Sequence, residues 1–298
     1  MTVTIDADVD PIEAKETLVA LMLDHIEPVT RRSWQSTSAP SPVRELSNVV
    51  LEFAVPRSAL DWSEECYGSY LSADPPADLS WAEEHHTERV SGDPLNPAPS
   101  YERWPWHSGA AREQFKQRPR EVLTEPAGYS ADLQSFGRKV VGVREQPFDH
   151  TYPERMWPKY AVDRRSPYGN EKGARRGIRF AYGDLLSVAL LLHKDPDTRQ
   201  AYLPIWFPED TGSEHGQRVP CTLGYHFIRN GNKLDVNYFI RSCDITRHFT
   251  NDVYMTGRLL QWLVMTLRDL DDREVMTGTL TMFTSNLHMF TADEWRHR

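Results

Sequence analysis

Hydrophobic and polar positions follow different periods along this chain, and the regular part begins near Asp184. Before it, residues 11–27 carry Leu18, Leu21, Met22 and Ile26 near helical spacing, which predicts an amphipathic helix. A Ser/Pro-rich loop is expected over 28–42. ELSNVVLEFAV, residues 45–55, mixes β-branched and apolar residues and reads as a strand. Many prolines within 72–110 surround one helical stretch, LSWAEEHHTERV, which stops at Ser91-Gly92. Residues 158–182, rich in Arg, Gly and Tyr, read as a surface insertion.

From Asp184 onward the pattern predicts a capped, buried helix through His193, closed by the DPD turn at 195–197. AYLPIWF follows as a strand, and then TLGYHFIR and KLDVNYFIRS form a hairpin around Asn230-Gly231. An apolar helix spans 252–268, and GTLTMFTSNLHMF closes the chain as a strand. Strands separated by a long helix, without strict βαβ alternation, indicate an α+β fold. A length of 298 residues allows one large domain as readily as two, and one domain over 1–298 is expected.

Composition narrows the function. A net charge of −9 argues against broad binding to nucleic acid and favours a small, locally recognised anion. The three cysteines, Cys66, Cys221 and Cys243, provide no disulfide framework, which points to a reducing compartment. MTVTIDADVDPIEAKE has no secretory pattern, and LLSVALLLH is too short for a membrane span, so a cytoplasmic location is expected.

The chemistry centres on Cys221, in RVPCTLGYHF. A free cysteine is often just a small buried apolar residue. Here Arg218 lies nearby in sequence and Arg241 at the far end of the hairpin, and a cationic neighbour increases a thiol's thiolate population. These residues leave a nucleophile and a structural cysteine evenly balanced.

The ordered motifs DPDTRQAYLPIWFPED, RVPCTLGYHFIRNGNKLDVNYFIRSCD and GTLTMFTSNLHMF resemble the thymidylate synthase superfamily. The resemblance covers residues 184–290. It includes an interval of twenty residues between Cys221 and Arg241 (241 − 221), as in that family. It implies a mixed sheet flanked by helices that dimerises through the sheet, and a covalent mechanism. Cys221 would attack C6 of a pyrimidine nucleoside monophosphate, and C5 would capture the one-carbon unit of 5,10-methylenetetrahydrofolate. Arg241 and Ser242 would hold the phosphate, with Arg199 reaching it across a homodimer interface. His288 would contact the sugar, Asp244 the folate, and Tyr152, in FDHTYPERMWP, would join the proton-transfer network. Arg44 is the candidate for a mobile phosphate-loop arginine. The catalytic glutamate would come from WAEEHHTERVSGD, with Glu84 favoured over Glu83 and Glu88.

Departures from the family pattern decide the expected substrate. Where the family has a uracil-pairing asparagine, eleven residues beyond the phosphate arginine, this chain has Asp252 (252 − 241). A carboxyl group can accept from cytosine N4 and share a proton with N3, so the resemblance shifts toward the deoxycytidylate 5-hydroxymethylases. A one-residue slip would present Asn251 and restore uracil. Thr222, Ile240, Gln200 and Phe290 replace the family's histidine, glutamine, second arginine and sugar-binding tyrosine. Arg247, Arg175 and Arg176 are candidates to replace the lost arginine. The chain stops eight residues after Phe290 (298 − 290), which would leave the site open to water and favour hydroxymethyl over methyl. The alternatives are a thymidylate synthase acting on dUMP, a CMP hydroxymethylase, and an inactive nucleotide-binding relative. A hydroxymethylated nucleotide would serve phage DNA modification or a nucleoside-antibiotic pathway.

Overall fold

In the computed structural model, which describes residues 3–5, 10–31, 41–55, 78–95, 98–103, 151–158, 183–207, 210, 219–271 and 275–298, helices begin where the sequence supplies caps. Helix α1 (Pro11–His25) opens with the Asp10 carboxylate accepting from Ile12 N at 2.7 Å, and Pro11 occupies the first turn, where no donor is lost. Helix α2 (Leu79–Val90) is capped by Asp78, and the short α3 (Tyr152–Met156) by a reciprocal Thr151–Glu154 capping box. Helix α4 (Leu185–Lys194) starts at Asp184, whose carboxylate accepts from Ser187 N at 2.9 Å. The longest helix, α5 (Phe249–Asp271), exceeds its expected 252–268 span at both ends.

Eight strands form one mixed, open sheet among the described residues: β1 (Val3–Ile5), β2 (Val29–Arg31), β3 (Ser41–Ala54), β4 (Tyr202–Pro204), β5 (Thr222–Asn230), β6 (Lys233–Ile240), β7 (Cys243–Asp244) and β8 (Met276–Phe290). The order is β1-β3-β8-β6-β5-β4, with β2 beside β3 and β7 beside β8. The architecture is therefore α+β, an open mixed sheet flanked by helices. Three local expectations need correction. Part of the expected loop 28–42 is strand, because β2 pairs antiparallel with the start of β3. The strand expected over 201–207 shrinks to three residues ending at Pro204, which cannot donate to a ladder. The hairpin turns on Gly231-Asn232, because Asn230 still pairs with Lys233; Gly231 takes the positive φ of 63° that the turn requires.

Alternation along β6 separates the faces of the sheet. Leu234, Val236, Tyr238 and Ile240 are buried beneath α5, while Asp235, Asn237 and Phe239 are half-buried on the other side. Phe239 stacks on Phe283 of β8 at 5.0 Å on that second face, with Tyr202 at 6.4 Å from Phe239. The parallel pairing of β6 with β8 has α5 as its crossover. This brings the end of β6 and the following Arg241–Asp244 beside the end of β8. The insertion expected over 158–182, apart from its first residue, lies outside the described residues, as do Cys66, Arg175, Arg176 and Arg218.

Removing the α4 cap with Asp184→Ala should lower stability by about 1 kcal/mol, read as a shifted urea midpoint with an unchanged slope.

Candidate active site

Cys221 precedes β5, and its carbonyl accepts from Arg241 N at 2.9 Å, extending the β5–β6 ladder by one pair. Arg241 then turns its side chain back over this junction. Its Nε donates to Pro220 O at 2.9 Å and its Nη2 to Val219 O at 3.3 Å, and Nη2 stands 3.8 Å from Cys221 Sγ. Trp206 packs 5.6 Å from the guanidinium. Cys221 is half-buried and its sulfur has a cation at its side.

Beneath Cys221 lies a wall of buried hydroxyl groups. Thr222 Oγ1 donates to Tyr152 OH at 3.3 Å and lies 3.0 Å from Tyr238 OH. Thr222, standing where the resemblance expects histidine, is thus the bridge between α3 and β6. Tyr225 stacks on Tyr238 with ring centroids 5.0 Å apart. Burial pushes all three phenols above their ordinary range, so they are neutral donors at physiological pH.

Asp252, in the first turn of α5, faces this wall. Its Oδ2 lies 3.8 Å from Cys243 Sγ, and its charge is felt at Tyr152, Tyr225 and Tyr238. Burial pushes the carboxyl up to about 7, against the attraction of Arg89 and the contact from Cys243. Asp252 can therefore act as either donor or acceptor near neutrality. The Cys243 thiol is raised well above its usual value by burial and by the nearby carboxylates, so it remains protonated. Asn251 is buried, and its Oδ1 has no hydrogen-bond partner among the described residues.

Ser242 and His288 meet at the adjoining strand ends, with Oγ 3.5 Å from Nδ1. Burial pushes His288 down to about 4, leaving a neutral imidazole edge-on to Phe290 at 5.5 Å. Asp244 accepts from Thr246 N and Arg247 N at 3.0 and 3.1 Å, closing the turn after β7; burial raises it to about 6. Its Oδ1 is thus engaged by the fold at the position where a folate contact was expected, while Oδ2 lies 3.8 Å from Arg247 Nε. Arg247 pairs with Asp293 at 2.7 Å and lies over Phe290 at 5.1 Å, so its charge is already answered locally.

Other expected residues stand apart from this group. Arg44 lies within β3, donates to Glu294 at 2.8 Å and to the carbonyls of Met22 and Ile26, and so fastens the end of α1. That fixed setting differs from the mobile loop expected of it. Arg199 is exposed beside the edge strand β4, its carbonyl 3.1 Å from His226 Nε2. Glu84 is half-buried one turn before Glu88, and Glu83 is held by Arg258 and Tyr254 of α5. The acid joined to the site's aromatic wall is Glu88, through Ser100 and His85. Sequence reasoning missed Arg89, His85, Ser100 and Cys243 as neighbours of the site; unusual polarity on the buried face of α2 was the available signal. Among the described residues, no cluster of three or more His, Cys, Asp or Glu side chains could hold a metal.

Asp252 binds more protons folded than unfolded, so its contribution is full below about pH 4 and is lost as pH rises through about 7. Asp252→Asn should therefore stabilise the protein at pH 8 by on the order of 1–3 kcal/mol and far less at pH 4, measured by urea unfolding at both pH values. No family model matches the chain, and a search among curated proteins found no match to its sequence.

Proposed function

We propose that the protein is a cytosine-nucleotide 5-hydroxymethylase, acting on dCMP through a covalent adduct at Cys221. The observation that carries this reading is Asp252, in the first turn of α5 with Oδ2 3.8 Å from Cys243 Sγ and its carboxyl pushed up by burial to about 7. Cytosine offers a donor at N4 and an acceptor at N3. A carboxyl group that is half protonated near neutrality accepts from N4 with one oxygen and donates to N3 with the other. A buried site built on such a pair penalises uracil, whose N3–H and O4 reverse the pattern, by ~10⁴ or more.

The chain's own groups then have defined tasks. Cys221 sulfur adds to C6 as N3 takes up proton density from Asp252, which leaves C5 nucleophilic. C5 bonds to the methylene carbon of a 5,10-methylenetetrahydrofolate cosubstrate, loses its proton, and tetrahydrofolate departs. Water adds to the resulting exocyclic methylene, and the C6–S bond breaks. The sum is dCMP, methylenetetrahydrofolate and water giving 5-hydroxymethyl-dCMP and tetrahydrofolate. Arg241, beside the Cys221 sulfur, and Ser242 are the groups for the phosphate, and neutral His288, beside Ser242, is the group for a sugar hydroxyl. Asp244 would contact the folate through Oδ2, since its Oδ1 closes the turn, and support for the cosubstrate comes from the resemblance. Arg199 would serve a partner subunit docked on the Phe239–Phe283 face. None of the described helices is long and apolar enough to cross a membrane.

Asn251, buried and with its acceptor unpartnered among the described residues, is the observation that favours uracil as a second reading. Incubation with dCMP, dUMP or CMP plus methylenetetrahydrofolate, followed by mass analysis, separates these readings. The expected product is dCMP heavier by one formaldehyde unit, lost in Cys221→Ala together with tritium release from C5-labelled dCMP. Conversion of dUMP in preference to dCMP, with dihydrofolate formed, overturns the cytosine assignment. Absence of tritium release from every nucleotide overturns the enzymatic reading.

A further inference from the structure

An extra residue sits in β5 just where its ladder reaches the site. From Asn230 back to Gly224 the strand pairs with β6 in one register, with Tyr225 opposite Tyr238 and Gly224 opposite Phe239. The next pair is Thr222 opposite Ile240, so Leu223 is left without a partner on β6 and forms a β-bulge. Cys221 O then accepts from Arg241 N at 2.9 Å. Residues opposite one another in an antiparallel pair share a face. Thr222 therefore lies with Ile240 and Tyr238, its Oγ1 3.0 Å from Tyr238 OH. Cys221 lies with Arg241, whose Nη2 is 3.8 Å from the sulfur. Without the bulge, Thr222 would stand opposite Arg241 and Cys221 opposite Ser242, because a one-residue slip turns every side chain to the other face.

The bulge is held from its far side. The Leu223 carbonyl accepts from two successive amides after β4, Ile205 N at 2.9 Å and Trp206 N at 3.0 Å. Trp206 is the residue that packs against the Arg241 guanidinium. To reach Leu223 the chain of β4 passes close over Gly224, which pairs with Pro204. A Cβ on Gly224 would stand 2.7 Å from Leu203 O and 2.6 Å from Tyr202 Cζ, with the Tyr202 hydroxyl closer still. Gly224 has no positive φ, so what the position requires is space. A side chain could swing aside, but the Leu203 oxygen cannot move without β4.

We propose that Gly224 is a positioning residue of the Cys221 site: by letting β4 close on β5 it keeps the bulge at Leu223, and the bulge turns the sulfur, not the Thr222 hydroxyl, towards Arg241. Its catalytic meaning rests on the reading of Cys221 as the nucleophile, while the effect on register stands on the pairing alone. Thr222 and Cys221 are chain neighbours with opposite tasks, one in the buried hydroxyl wall and one beside the cation. A regular ladder would exchange them, setting the hydroxyl beside the guanidinium and packing the thiol against the phenols.

The test is the rate at which iodoacetamide alkylates Cys221 in the full chain without nucleotide, read at each cysteine by mass spectrometry of its peptide. In Gly224→Ala the Cys221 rate should fall about tenfold or more as the thiol turns into the core, while buried Cys243 stays protected. Deleting Leu223 from that variant should restore the rate to within about threefold of wild type, because a ladder with no extra residue again pairs Cys221 with Arg241. If Gly224 only made room, the deletion would recover nothing, since the added methyl group would still meet Tyr202 and Leu203. An unchanged or faster Cys221 rate in Gly224→Ala, exposure of Cys243, or no recovery after the deletion overturns the proposal. Should Gly224→Ala not fold, the same substitution with Leu223 deleted must fold and alkylate at Cys221 near the wild-type rate, and its failure overturns the proposal as well. The readout needs no turnover. Slowed and recovered alkylation in a chain that converts no nucleotide would sink the proposed function and leave the role of Gly224 standing.

Discussion

The parallel pairing of β6 with β8 is the constraint from which the site follows. Parallel neighbours cannot be joined by a tight turn, so the chain must leave the sheet, cross its face and return. Here α5 makes that crossing. The long helix buries one side of β6 and β8, and its first turn is delivered to the strand ends from which it departed. Asp252 therefore sits beside Cys243, and Ser242 beside His288, without any of these residues being close to all of the others in sequence.

The outer scaffold was legible because its signals are local. Asp184 followed by an apolar run, the alternation in KLDVNYFI, and Gly231 between two β-rich segments each settle a few residues by short-range chemistry. Leu79–Val90 matches the helix expected from LSWAEEHHTERV, including the stop at Ser91. What misled was pairing over distance. Val29–Arg31 has no strong strand signal of its own and becomes a strand because Ser41–Val43 offers partners. Tyr202–Pro204 stops short because a proline ends a ladder that its neighbours' apolar character suggested would continue.

The site was legible in part for the same reason. Cys221 with Arg241, and Ser242 with His288, occupy strand ends whose register the hairpin and the last strand dictate, and these pairs meet. Arg44 and Asp244 show the limit of residue type as a guide. An arginine before a strand and an aspartate after one suit ligand binding, yet Arg44 fastens a helix end and Asp244 closes a turn. A reading of α2 that searched for one acid passed over the Arg and His on the same buried face, whose importance shows only when α3 and β5 pack against them.

The row of bonds on the buried face of α2 has a consequence for how charge can move inside this protein. A guanidinium only donates, so His85 Nε2, 3.0 Å from Arg89 Nη2, presents its lone pair, and the ring proton on Nδ1 points to Ser100 Oγ at 2.8 Å. Ser100 donates in turn to Glu88, which fixes the direction from Arg89 to Glu88. A proton wire works by turning round: each link that has given a proton must be able to take the next, so both ends must be able to switch roles. The guanidinium at one end can never accept, so this row cannot reset after a transfer. Such a row holds its protons in one arrangement and does not conduct them towards Cys221.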